Sequence, residues 1–410
     1  MVSIKAALVL LPVWTIIFGT ATAQHFPISG IHTGVNNRTG ARPMRRNINE
    51  FQKDVPTWSL YIQALIALQQ TPEDDQFSWF QISGIHGRPW YDWDNVHRNP
   101  NSSETGYCTH YSTLFPMWHR PYVALFEQVL AGHVQSIAKA YKSGQYQEAA
   151  DIFRVPYWDW ATDPRMPDVV NQETVLIATP AGQANVSNPL LLYQFQQFPL
   201  NATWFPADYP GDGIINTYPT TLRTPYNGTS TPESADDNLG GSNLKQNTYS
   251  VFNVTNYNEM ATSFDQTTAF EYVHNQVHHA IGGFSPVNPG HMSTFSYSAF
   301  DPIFYLHHAN TDRLIAMWQA MNPTSFMTPD VETEGSYTVA IGENITENTP
   351  LGPFFMPDGK TPWTTKSARY IKDFGYSYPE LQDWLPNLNS TEKLAANVSA
   401  QVLKMYSPGP

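Results

Sequence analysis

A chain of 410 residues is long enough to bury a substantial core, in one large domain or two modest ones. Its 35 acidic against 22 basic residues leave a net charge of −13, which excludes nucleic acid as a partner because nothing here neutralises phosphate. A single cysteine, Cys108, excludes any internal disulfide.

The first 23 residues read as a secretory signal peptide: Lys5, an apolar run beginning at Ala6, then small residues ending at Ala23. No later run reaches the ~20 apolar residues of a membrane span, so the expected product is secreted and extracellular, with no membrane partner. Nine Asn-X-Ser/Thr sequons, from Asn37 to Asn397, predict N-glycans on such a product. An unpaired thiol in an oxidising compartment must then be buried or covalently committed.

Apolar spacing predicts a helix over 48–70, stopped by Thr71-Pro72-Glu73. His86 follows in a Gly-flanked loop. A second helix is predicted over 119–142, so a bend has to bring His110 and His119 together. Residues 161–262, rich in Pro, Asn, Ser and Thr, read as a long ordered loop. A third helix is predicted over 267–281, closed by Gly282-Gly283. The fourth starts at Asp301 as cap, with Pro302 in first position, and runs to Asn322-Pro323. A further helix is read in 390–406. The fold class expected is mainly α, with long ordered loops and little β structure.

Six histidines fall into two trios along this frame: His86, His110 and His119, then His274, His278 and His308. Neutral imidazole suits copper, zinc, iron and nickel, and three imidazoles leave a metal room for an exogenous ligand. His274 and His278 stand four apart and project from one helix face. His279 lies about 100° further round the helix, beside the ligands or in solvent. His97, in charged and Asn-rich surroundings, reads as a solvated loop residue. Two all-histidine sites without a ligating carboxylate lean towards paired copper and oxygen chemistry.

The segment "HYSTLFPMWHRPYVALFE" resembles the first copper-site pattern of tyrosinases, catechol oxidases and molluscan haemocyanins, and "DPIFYLHHANTD" resembles their second. The similarity extends through "TGARPMRR", "IHGRP", "VPYWDWA" and "DFGYSYPEL", over most of the chain after residue 23. It implies a four-helix bundle holding two copper ions as a type 3 dicopper centre, with His308 as the sixth ligand and His307 its neighbour. It implies a tyrosinase-type dicopper domain over 24–378 and a short tail, 379–410, without the shielding domain of long fungal members. Dioxygen and small phenols are the implied partners, and the implied assembly is a monomer or weak homodimer.

In fungal members the position of Cys108 carries a thioether to the second ligand, which implies a Cys108–His110 cross-link. Glu271 and Asn275 match a pair that holds a water able to deprotonate the phenol. Phe295, thirteen residues before His308, matches a bulky gate above the first copper, with a plain core phenylalanine as the competing reading. Asp312, one turn past His308, is either a residue supporting the ligands or a structural partner of an arginine in "PMRR". The activity implied is oxidation of o-diphenols to o-quinones with reduction of dioxygen to water. Monophenol hydroxylation, o-aminophenol oxidation and, from a different class, haemocyanin-like oxygen binding stay open.

Overall fold

Helices are the main regular structure in the computed structural model, which describes residues 24–102, 105–207, 212–263 and 267–408. The expected signal peptide, 1–23, lies outside the described residues. Where one helix was expected over 48–70 there are two, α1 (Ile48–Phe51) and α2 (Val55–Gln70). The break comes at Asp54, which turns the chain and caps α2: its carboxylate accepts from Thr57 N at 3.4 Å, and Pro56 sits in the first turn.

His86 is not in a loop. It is the last residue of α3 (Trp79–His86), which Ser78 caps by accepting from Gln81 N at 3.1 Å. Helix α4 (Phe115–Ala138) starts four residues before the expected His119, with Pro116 in its first turn, and runs through Pro121. His119 therefore stands a full turn inside a helix rather than at its start. A short α5 (Gly144–Asp151) follows.

The described residues of 161–262 hold regular elements where an ordered loop was expected. Strands β1 (Thr174–Thr179) and β2 (Gly182–Ser187) form an antiparallel hairpin in register from Thr174↔Ser187 to Thr179↔Gly182. It lies against α2, where Ser59 Oγ accepts from Ala178 N at 3.0 Å. Helices α6 (Asp212–Ile215), α7 (Pro232–Gly241), α8 (Leu244–Phe252) and α9 (Tyr257–Ala261) complete the segment. Each is short, and the buried residues of α7 are only Ala235 and Leu239, so no strong apolar period marks it in the sequence.

Helices α10 (Phe270–Gly282) and α11 (Ile303–Met321) match the third and fourth expected helices to within three residues. Asp301 stands one residue outside its expected place: Pro302 is the cap of α11 and Ile303 its first residue, with Asp301 Oδ1 accepting from Ile303 N at 3.1 Å, while Gly283 closes α10 at φ +90°. Every residue of α11 from Ile303 to Trp318 is buried, which makes it the central helix. Around it pack α4, α10 and α12 (Thr391–Tyr406), while α2 packs on α4. Three two-stranded ladders are the β structure of named strands among the described residues: the hairpin, β3 (Asp330–Val331) with β4 (Asn344–Ile345), and β5 (Pro350–Phe355) with β6 (Pro362–Thr364).

A buried ionic network ties the site-bearing helices together. Arg45 of "PMRR" pairs with both Glu127 oxygens of α4, at 3.0 and 3.1 Å, and with Asp312 of α11 at 3.2 Å. Arg120, next to His119, donates to the other Asp312 oxygen at 2.7 Å. The hydroxyls of Tyr376 and Tyr378 donate to Asp312 at 2.6 and 2.7 Å. Burial alone pushes the Asp312 carboxyl upward, but Arg120, Arg45 and the two tyrosines hold it below the usual carboxylate range. The structural partnership of Asp312 with an arginine is present twice over, with Arg45 and with Arg120.

Candidate metal centre

Four donors gather at the end of α3 and the start of α4: His86, Cys108, His110 and His119, with ligand atoms within 4.8 Å of one another. His86 is delivered by close backbone packing. A Cβ on Gly87 would collide with the Ser296 backbone, and one on Gly106 with the carbonyl of His86, so these positions admit glycine alone. His86 Nδ1 donates to Phe295 O at 3.1 Å, and its Nε2 has no protein partner although buried. His119 Nδ1 donates to Phe115 O at 2.8 Å, one turn back on α4. His110 arrives on the bend that the spacing required, before α4. That bend is fastened where Tyr111, at φ +51°, donates its N–H to Glu271 Oε1 at 2.5 Å.

The second cluster holds His274 and His278 of α10 with His307 and His308 of α11. Three Nε2 atoms converge: His274 to His308 at 3.1 Å, His278 to His274 at 3.0 Å and His278 to His308 at 3.2 Å. His274 Nδ1 donates to Asn275 Oδ1 at 2.9 Å and His278 Nδ1 to Met292 O at 2.8 Å, which assigns the ring proton to Nδ1 and turns the Nε2 lone pair inward. Lone pairs that close repel one another unless a cation sits among them. Imidazole nitrogens at ~2.0 Å from a four-coordinate metal would stand roughly 3.3 Å apart, which fits the observed separations.

The two clusters face each other. The rings of His119 and His308 stack at 4.7 Å, and His119 and His274 lie 5.9 Å apart. Burial, followed by neighbouring imidazoles, pushes His110 down to about 3, and burial does the same for His119 and His278. His86, His274 and His308 are held well below the ordinary value for the same two reasons. Neutral imidazole is the ligating form, so the pocket keeps these donors ready for a metal.

Several neighbours complete the site. Cys108 Sγ lies 3.6 Å from His110 Nε2 and 3.3 Å from His119 Nε2, and burial, then Glu271, pushes its thiol upward. Phe295 stacks on His110 at 4.7 Å with an 11° interplanar angle. Glu271 is buried, and burial pushes it up to about 7 against the hydrogen bonds it accepts. Its Oε2 accepts from Ser263 N at 2.8 Å and Thr262 Oγ1 at 3.1 Å. His279 is half-buried at the site's edge, and His97 is exposed and paired with Asp92 at 2.6 Å.

His307 is more than a neighbour in sequence. It is buried, neither ring nitrogen has a protein partner, and it stacks on His274 at 4.8 Å. Phe304, unremarked in the sequence, stacks on His308 at 3.8 Å and meets His86 at 4.9 Å. Its spacing, four before His308 on one helix, was the available signal. His291 is buried outside both clusters, its Nδ1 accepting from Leu222 N.

Residues 76–321 match a family model described as the common central domain of tyrosinase. A tyrosinase of Podospora anserina is 35% identical over 397 residues, covering 89% of this chain and 66% of its own length. One of Neurospora crassa is 34% identical over 416 residues, covering 94% and 59%. This chain therefore spans 59–66% of the length of these two relatives. A solved structure of mushroom tyrosinase superposes with a TM-score of 0.84 at 31% identity, over 94% of this chain and 99% of the matched chain.

Proposed function

Since the chain belongs to the tyrosinase family, we propose that it oxidises o-diphenols to o-quinones with dioxygen. The coppers would be held by His86, His110 and His119 on one side and by His274, His278 and His308 on the other, within a four-helix bundle of α2, α4, α10 and α11. The observation that carries this reading is the gathering of imidazole donors in two facing clusters, with the Nδ1 of His86, His119, His274 and His278 committed elsewhere and the Nε2 atoms of the second cluster converging. When bound, the copper pair supplies dioxygen uptake and electron acceptance, so that two diphenols yield two quinones and one dioxygen yields two waters.

The chain's own residues shape the rest. Phe295, flat against His110, restricts entry to planar rings. Asn275 fixes the His274 ring through Nδ1 and keeps its NH2 for a water. Glu271 Oε1 retains one of its lone pairs beside the Tyr111 bond, and with its carboxyl near 7 it takes and returns a proton close to ambient pH. A phenol, with a solution pKa of about 10, needs such a base. Water held between Glu271 and Asn275 is then the route for the phenolic proton. The same pair supports a second reading, monophenol hydroxylation, which the Phe295 stack opposes. Export through the 1–23 segment and glycosylation at the sequons belong to this proposal.

Oxygen uptake by the copper-loaded protein, with catechol and phenol measured side by side, tests it. Uptake with catechol alone is the expected result and assigns Phe295 as a barrier. Uptake with both promotes the Glu271–Asn275 pair to hydroxylation chemistry. No uptake at full copper occupancy overturns the proposal in favour of an oxygen carrier.

A further inference from the structure

Rings continue outward from the first cluster towards solvent. His110 stacks with Phe295 at 4.7 Å, Phe295 meets His279 at 6.1 Å, and His279 stacks with Phe284 at 6.3 Å and 25°. Each separation lies within the roughly 4.5–7 Å over which aromatic rings interact. Burial falls along the series: His110 and Phe295 are part-buried, whereas Phe284 is 62% exposed and Val287 beside it 72%. One exposed phenylalanine is unremarkable on a protein surface. What distinguishes Phe284 is its unbroken ring contact with the metal cluster.

Its position is also fixed. Gly283 adopts φ +90°, a conformation that favours glycine, and donates its N–H to His279 O at 2.8 Å. Phe284 is thereby clamped against the residue whose ring it faces. Thr224 Oγ1 donates to Ile281 O at 2.9 Å and holds the same helix end from outside. The segment is uncharged: from Tyr272 to Phe300, 29 residues contain no Asp, Glu, Lys or Arg, in a chain of net charge −13.

Resting on the function proposed above, we infer that Phe284 and His279 form an outer aromatic subsite that stacks the second ring of an extended, uncharged phenol. The first ring would lie against Phe295 at the copper pair. The substrate class is thus neutral two-ring or larger phenols, rather than single-ring phenols bearing a charged side chain. The segment from Tyr272 to Phe300 itself offers such a charge no partner, whereas its Phe284 and His279 would stabilise a second ring by stacking and by removing apolar area from water.

Calorimetric titration of the copper-free protein with 4-phenylcatechol and with 4-methylcatechol tests this without turnover. Phe284→Ala is compared with the native chain and with Leu403→Ala, an exposed position on α12. Stacking worth ~0.5–1.5 kcal/mol predicts that Phe284→Ala weakens 4-phenylcatechol by about two- to tenfold, with a smaller change for 4-methylcatechol and none in Leu403→Ala. Equal weakening of both ligands, no weakening, or no binding of either overturns the subsite. Oxygen uptake with 4-methylcatechol by the copper-loaded native chain is read in parallel. Its absence, beside an intact binding preference, would fault the oxidase reading and leave the subsite standing.

Discussion

At the scale of single residues, what prepares the site is the fate of each second ring nitrogen. His86, His119, His274 and His278 all commit Nδ1 to a carbonyl or amide oxygen, so one tautomer is set before any metal arrives. None of these acceptors could be read from a sequence pattern except Asn275, because three are backbone carbonyls brought in by the fold. Cys108 is buried on the other side of these rings, its Sγ 3.6 Å from His110 Nε2 and 3.3 Å from His119 Nε2. Joining Sγ to a ring carbon releases two hydrogens, whose electrons dioxygen at the copper pair can take. Peptide mass analysis of protein exposed to copper and air is therefore expected to give a linked Cys108–His110 peptide two hydrogens lighter than the sum of its parts. A linkage to His119 would follow the shorter contact and redirect the proposal, while a Cys108 that still alkylates fully would refute any cross-link.

At the scale of elements, the histidines are only as well placed as α4, α10 and α11 are relative to one another. The Arg45–Glu127–Asp312–Arg120 network fixes α4 against α11 one residue from His119 and one turn from His308. Asp312→Ala leaves the buried Arg120 without a carboxylate and Arg45 with Glu127 alone, and losing one partner of a buried pair costs about 3–5 kcal/mol. The expected outcome is a fall in unfolding free energy of that order in chemical denaturation, with weaker copper retention. A loss under ~1 kcal/mol would mean that solvent reaches the network. Asp312 pairs with Arg45 across 267 residues, a partner that "PMRR" offered but that no local spacing could single out. The long helices were legible for the usual reason, apolar residues recurring at helical spacing, and α10 and α11 also carried their own Gly and Asp signals. Helix α3 was missed because Gly84 and Gly87 flank His86 and argue for a loop, although Ser78 and Gln81 spelled its start. The hairpin and α7 to α9 were missed because they bury few residues each and borrow stability from α2 and α10.

At the scale of the whole molecule, a net negative protein has enclosed a core of neutral bases, and this links its stability to pH. Seven imidazoles, three in the first cluster and four in the second, are held below their ordinary pKa of 6.5, chiefly by burial. Above pH 6.5 they are neutral whether the chain is folded or not, and contribute nothing to the difference. Below it the unfolded chain binds protons that the folded chain refuses, so stability falls as pH falls. One unit lower, each costs about 1.4 kcal/mol, and together they approach the whole ~5–15 kcal/mol of a typical domain. Glu271 acts oppositely: raised to about 7, it holds its proton in the fold between 4.5 and 7, so acidification there favours folding. Glu332, Asp236 and Asp373 are raised by burial as well, while His291, His279 and His133 join the lowered imidazoles, which stay the larger set. The copper-free protein is therefore expected to unfold cooperatively near pH 5–5.5, followed by tryptophan fluorescence. Copper, bound by the neutral rings, competes with those protons and should move the midpoint to lower pH, with metal release and unfolding coincident. A copper-free protein that still melts cooperatively at pH 4.5 would mean that the imidazoles are open to water, and with that the enclosed, pre-set character argued for the centre would fall.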